Sequence, residues 1–432
     1  MTLKRLLRQV LKLEKTVIEG VRPYERTDAL IVSVRPFSGQ VGRCPECHKK
    51  AKKYDQGIGR RRWRCLDWKG VMVYIEAAAP RVICPDHGVR VQEMPWARPG
   101  SWFTKDFEQQ VAWLAVFSSR KVVAEAMRID WATVGTIIGR VQADEAEAGP
   151  SPLENLVEIG IDETSHKKGH KYVTVVVNHN TGYVVWVGDG HGKKVLERFF
   201  TLLTNEQKQQ VKVVTADGAK WIKECVEEHC PNATLALDPY HTVSWATAAL
   251  DEVRRQAWRE ARKQPKQKRS PGRPRKGSKP PPDSAKDLKG SRWALLKNPE
   301  NLTERQEIQL EMIAVENPVL HRAWQLKEKL RLLLKLPLDE AQVELRYWLS
   351  WAQRCRIPAF VELGQKVKRH LPAILDAIKL KVSNARLEAI NNKIKLTIRM
   401  AYGFRNVDNL ISYIMLRCGG LELTLPGRES SH

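Results

Sequence analysis

Two short knuckles constrain this chain more than any other feature. Cys44-Pro-Glu-Cys47 is followed, after 36 intervening residues, by Cys84-Pro-Asp-His87-Gly88. Each knuckle offers two soft donors from one tight turn, and the stretch between them (RRWRCLDWKGVMVYIEAAAPRVI) reads as strands. Four such donors at tetrahedral positions make a zinc ribbon. Cys44, Cys47, Cys84 and His87 are therefore the expected ligands of one structural Zn²⁺, with no open coordination position. His48 adjoins Cys47 at the wrong spacing. Cys65, Cys225, Cys230, Cys355 and Cys418 read as core or incidental thiols, because eight cysteines in 432 residues are too few for a disulfide scaffold.

Charge narrows the partner. Lys and Arg outnumber Asp and Glu by 73 to 49, a net +24, which favours a polyanion through counterion release. No run of 18 apolar residues occurs, so no membrane span is expected. The opening MTLKRLLRQVLKLEKTV carries charges throughout its apolar stripe and does not read as a secretory signal. A cytoplasmic protein acting on nucleic acid is the expectation.

Behind the ribbon, residues 104–148 place apolar side chains at helical spacing: Phe107, Val111, Leu114 and Ala115, then Val122, Val123, Ala126 and Met127, then Val134, Ile137, Ile138 and Val141. Ser118-Ser119 breaks the first helix and Asp130 caps the third. This is helix-turn-helix grammar, with 131–142 as the candidate recognition helix. A plain three-helix packing module has the same pattern.

After the linker PSPL (150–153) the period changes. Strands are predicted over 156–162, 171–178, 182–189, 211–217 and 234–238, with helices over about 193–203 and 219–229. Three strands in meander, then helix–strand–helix–strand, is the order of an RNase H-like α/β core. Residues 242–380 are largely helical, interrupted by 262–282, which holds nine Lys/Arg, six prolines and no acid. Inside it, Pro271-Gly272-Arg273-Pro274-Arg275-Lys276 resembles an AT-hook whose usual leading Arg is replaced by Pro271, so Arg273, Arg275 and Lys276 are candidate minor-groove contacts. A solvated basic linker is the competing reading.

Helix 384–406 then aligns Leu387, Ile390, Ile394, Ile398 and Ala401 on one stripe and Glu388, Asn392, Lys395 and Arg399 on its neighbour. One acid heads a basic stripe, which makes Lys395 and Arg399 candidate DNA contacts. Asp162 ends the first core strand and Asp217 the fourth, and in an RNase H-like sheet those strands are neighbours. Phosphoryl transfer on a phosphodiester calls for two hard cations, and Mg²⁺ takes oxygen ligands. Asp162, Asp217 and Glu388 are the predicted ligands of two Mg²⁺ (or Mn²⁺) ions. Glu163 is expected to face solvent or basic neighbours. Asp238-Pro239-Tyr240-His241 closes the fifth strand, either as a helix cap with a structural His or as support for the site.

GIDETSHKKGHKYVTVV, TADG, DPYH and NARLEAINNKIKLTIRMAYGFRN, together with RVICPDHGV and PWARPGSWFTKDFE, resemble bacterial insertion-sequence transposases of the DDE type, in the zinc-ribbon group called the ISL-three family. The resemblance covers nearly the whole chain. It implies DNA transposition with Mg²⁺ held at D, D and E positions, matched here by Asp162, Asp217 and Glu388. Asp238 competes with Asp217 for the second place, and strand order favours Asp217. Pro239-Tyr240 stands where Arg-Phe is usual, and Asn178 where a strand-end acid is frequent.

The resulting organisation is multidomain α/β: zinc ribbon 1–95, helix-turn-helix 96–149, RNase H-like core 150–241, a helical insertion 242–380, and the last part of the core 381–432. The expected partner is double-stranded DNA, at the element's ends and at its target, bound by a homo-oligomer with strand cleavage and transfer as the activity. A non-catalytic zinc-ribbon/helix-turn-helix regulator and an RNase H-like nuclease of other substrate range are the alternatives.

Overall fold

The computed structural model describes residues 3–24, 27–263, 288–381 and 385–428. Arg273, Arg275 and Lys276 lie outside the described residues. The chain divides into two compact units, Met1–Pro152 with Ile394–His432, and Leu153–Lys393.

The first unit opens with helix α1 (Leu3–Leu11) and strands β1 (Thr16–Pro23), β2 (Ala29–Pro36), β3 (Lys52–Asp55), β4 (Arg60–Arg64), β5 (Met72–Ala78), β6 (Arg81–Cys84) and β7 (Gly88–Val91). They form a four-stranded sheet, β1-β2-β5-β4, and a three-stranded sheet, β3-β6-β7. Alternation along β2, β4 and β5 buries Val32, Val34, Trp63, Val73 and Ile75 in one core with Trp96. Glu76 points the other way and is offset by Arg22, Arg60 and Arg62.

Three helices follow: α2 (Lys105–Phe117), α3 (Arg120–Met127) and α4 (Trp131–Ala148). Thr104, Ser119 and Asp130 cap them, each accepting a backbone N–H of the first turn. The expected stripes are buried at Phe107, Val111, Ala115, Val123, Met127, Val134, Ile137, Ile138 and Val141. Val122, expected on the apolar side, is exposed instead. Glu108 is fully buried, held by Arg98, Arg140 and Ser101.

The second unit is built on β8 (Glu158–Lys167), β9 (Lys171–Asn178), β10 (Tyr183–Asp189), β11 (Val213–Ala216) and β12 (Thr234–Leu237), with α5 (Lys193–Phe200), α6 (Asn205–Gln210) and α7 (Lys220–His229) between them. The sheet order is β10-β9-β8-β11-β12. The first three strands are antiparallel, and β8, β11 and β12 are parallel. Ile159, Ile161, Val176 and Val214 pack with Leu196, Phe199, Phe200 and Ile222 of the helices. Burying each of these side chains contributes roughly 1.5–3 kcal/mol.

Helices α8 (Pro239–Lys263), α9 (Arg292–Leu296), α10 (Glu304–Glu316), α11 (Pro318–Leu333), α12 (Leu338–Arg354), α13 (Pro358–Arg369) and α14 (Leu371–Leu380) share a second core. Leu237 of β12 belongs to that core, which fixes the α13–α14 corner against the ends of the parallel strands. Helix α15 (Ala385–Met400) begins in the second unit, and its residues from Ile394 on count with the first. The last helix, α16 (Val407–Cys418), packs on α4 within the first unit.

Candidate active site and metal centre

The ribbon donors converge. Cys44 and Cys47 come from the turn before β3, Cys84 ends β6, and His87 sits in the turn to β7, where Gly88 takes φ +68°. All four donor atoms lie within 4.8 Å of one another. A tetrahedron with metal–sulfur arms of about 2.3 Å has sulfur–sulfur edges of about 3.8 Å. Cys47 Sγ to Cys84 Sγ is 3.7 Å, Cys44 Sγ to His87 Nδ1 is 3.7 Å, and Cys84 Sγ to His87 Nδ1 is 3.6 Å. The His87 ring beside it lowers the Cys84 thiol to about 6, within reach of the thiolate that a metal needs. Glu46 stands 3.6 Å from the other ring nitrogen and orients the imidazole. This donor set fits a structural zinc.

The carboxylates assemble through the sheet. Register pairs Thr215 with Gly160, so continuing both parallel strands by two residues brings Asp217 level with Asp162. Gly218 follows Asp217 at φ +82°, and a Cβ there would meet Leu237 Cδ1 at 2.5 Å. The turn lets Asp217 Oδ1 accept the N–H of Ala219 at 3.0 Å.

Asp162 is held on both oxygens. Oδ1 accepts the Glu163 backbone N–H at 2.7 Å, and Oδ2 accepts from Asn391 Nδ2. Thr164 Oγ1 donates to Asn391 Oδ1 at 2.8 Å, which fixes the amide so that its N–H₂ faces the acid. Burial pushes the Asp162 carboxyl above the usual carboxylate range, against the Glu163 N–H, the His241 ring and Asn391; the Asp217 charge adds to the upward push.

Asp238 and His241 stand beside this pair. Asp238 is 7 % exposed, accepts the Tyr240 N–H at 2.9 Å at the start of α8, and lies 3.8 Å from His241 Nε2. Its carboxylate is thus engaged as a helix cap and a partner for the ring.

Glu388 is exposed on α15, one turn ahead of Asn391. Among the described residues no three carboxylates bring their oxygens within 4.8 Å. Asn392, Lys395 and Arg399 are exposed along the same helix, while Leu387, Ile390 and Ile394 are buried.

Two residues stand where the sequence reading did not put them. Asn391 is 6 % exposed and ties α15 to Asp162. Its position, four after Leu387 and three before Ile394 on the apolar stripe, was the available signal. Glu163, expected toward solvent or basic neighbours, is half-buried, and its Oε1 is enclosed without a hydrogen-bond partner among the described residues. Burial raises its carboxyl; His191 opposes that push, and the charges of Asp217 and Asp162 add to it.

Comparison with known proteins bears on the whole chain. Residues 159–414 match the family described as "Transposase", in its ISL3 group. Residues 40–87 match the "zinc-finger of transposase IS204/IS1001/IS1096/IS1165", and residues 92–141 the "Helix-turn-helix domain of transposase family ISL3". The "Transposase for insertion sequence element IS1557" of Mycobacterium tuberculosis (strain CDC 1551 / Oshkosh) is 48% identical, over 99% of this chain and 98% of its own. The "Transposase for insertion sequence element IS1001" of Bordetella parapertussis is 26% identical, over 89% of this chain and 91% of its own.

Proposed function

This chain belongs to the ISL3 family of insertion-sequence transposases, and from that premise we propose that it binds its element's inverted repeats and performs Mg²⁺-dependent cleavage and strand transfer. Asp162, Asp217 and Glu388 hold the metal ions (Mg²⁺ or Mn²⁺), two per site. The observation that carries this reading is the register of β8 against β11, which aligns Asp162 with Asp217, with α15 bonded to Asp162 one turn from Glu388. The sheet order, three antiparallel strands followed by two parallel ones, supports an RNase H-like core in which α8–α14 form an insertion.

Bound there, the metal ions supply positive charge that favours attack at phosphorus and departure of the 3′ oxygen. The chain's own groups prepare that chemistry. Asn391 and Thr164 orient Asp162, and His241, held by Asp238, places a ring beside it. Water forms the new bond to phosphorus, the bond to the 3′ oxygen breaks, and the strand is left with a 3′-OH. That hydroxyl attacks a target phosphodiester in the same way. Asp217 takes the second acid position because β11, not β12, lies next to β8 in the sheet. Glu388 completes the set by turning its exposed side chain inward.

The zinc ribbon and helix-turn-helix supply end recognition in this reading, with the boundary to the core near residue 150. Lys395, Arg399 and the segment holding Arg273, Arg275 and Lys276 contact DNA, and two ends are joined by a homo-oligomer. The test uses purified protein, the element's own ends and Mg²⁺. Asp162→Ala and Glu388→Ala are expected to lose cleavage on the order of 10⁴-fold while keeping end binding. Cleavage by either variant at the wild-type rate would refute the assignment.

A further inference from the structure

The helical region brings an unclaimed cation to the acid pair. Trp245 lies one turn beyond His241 on α8 and carries Lys366 of α13 on its face, with Nζ 3.7 Å from the ring centroid. His370, at the α13–α14 corner, packs on the same indole at 5.5 Å, and its Nδ1 approaches within 3.4 Å of where a Cβ on Gly218 would stand. This corner therefore abuts the turn that begins with Asp217.

Lys366 is half-buried, and among the described residues it has no hydrogen-bond acceptor or ion-pair partner within bonding distance. Burial lowers its ammonium from the usual lysine range; Asp217 opposes that effect and Arg369 adds to it. The lysine thus sits within the electrostatic reach of Asp217 without being paired to it. Partial desolvation of an ammonium is costly, and an indole face compensates for only part of that cost. An anion arriving beside Asp217 would complete its bonding.

We propose that Lys366, set on Trp245, binds the scissile phosphodiester through a non-bridging oxygen, so that the helical region contributes a substrate ligand to the active site. The inference rests on the catalytic reading above. The indole fixes one side of the Lys366 ammonium and leaves it donors for a phosphate oxygen.

The experiment measures binding of the full chain to an element-end duplex in Ca²⁺, over about 0.05 to 0.2 M salt. One duplex is native and a second carries a neutral methylphosphonate at the mapped cut site. One phosphate contact is worth about 0.9 in the log–log salt slope, roughly 3.5-fold in Kd over that range. Wild type should lose that increment on the methylphosphonate duplex. Lys366→Met should already lack it on native DNA and show no further loss, and Lys366→Arg should restore it. Lys366→Gln gives the same comparison should the Met variant not fold. A wild-type slope in the neutral variant, or an undiminished methylphosphonate effect, would overturn the proposal. Failure of the catalytic reading would show separately, as cleavage by Asp162→Ala with this slope comparison unchanged.

Discussion

The zinc ribbon and the proposed carboxylate site are built in opposite ways. The ribbon draws four donors from two tight turns and closes them within 4.8 Å. The proposed carboxylate site would draw Asp162 from within β8, Asp217 from just past the end of β11 and Glu388 from a helix far along the chain, where it is exposed. A structural metal site has every position filled by protein and can form locally. A site that must admit a phosphodiester keeps an open side and depends on long-range packing for its geometry.

Removing the metal from the closed site should have the largest effect. Zinc-ribbon folding free energy is metal-binding free energy, on the order of 10 kcal/mol. Chelation, or a Cys44→Ser/Cys84→Ser pair, should unfold residues 40–91 in hydrogen exchange and abolish end binding. Retained exchange protection without zinc would break the comparison, because the ribbon would then stand on its hydrophobic core alone.

The open site should depend on its supporting shell. Asn391→Leu leaves Asp162 and Thr164 without their shared partner. Cleavage should fall roughly 10–100-fold with end binding retained. An unchanged rate would mean that α15 is positioned by its apolar stripe and that Asn391 merely fills space.

Acid should separate the two regions more finely. His179 is 7 % exposed, shares a 2.7 Å hydrogen bond with Thr215 Oγ1, and is held by burial, with Arg386 adding, at about 4 against an ordinary 6.5. Its folded form resists a proton that the unfolded chain accepts. The stabilisation is complete above pH 6.5 and is lost as pH falls toward about 4, with about 2 kcal/mol gone by pH 5. His179→Gln should flatten that part of the melting curve against pH for the sheet, while zinc release from the ribbon keeps its own pH profile. An unaltered dependence in the variant would assign acid sensitivity elsewhere.

What the sequence revealed follows the same division. The knuckles were legible because their ligands are local, and the strands because β-branched runs and turn residues mark them. The pairing of β8 with β11 followed from strand order. Asn391, Glu163 and Lys366 were not, since each gains its meaning from a partner brought by distant packing: Asp162 across 229 residues in the case of Asn391. Glu108 was missed for the same reason. An acid on an apolar helix face looks like a mismatch until Arg98 and Arg140 arrive to pair it. Val122 erred in the other direction, because periodicity cannot tell a helix's core stripe from an apolar residue at its edge.

The central claim is that strand order, which sets β11 rather than β12 beside β8, selects the second metal-binding acid over motif strength. Asp217→Ala and Asp238→Ala, compared side by side in cleavage of the element's own end at equal DNA occupancy, test it most directly. The account predicts that Asp217→Ala loses cleavage as completely as Asp162→Ala. Asp238→Ala, which loses only a cap and the hold on His241, should retain measurable cleavage. Cleavage by Asp217→Ala together with an inert Asp238→Ala would contradict the account and move the site to Asp162, Asp238 and Glu388.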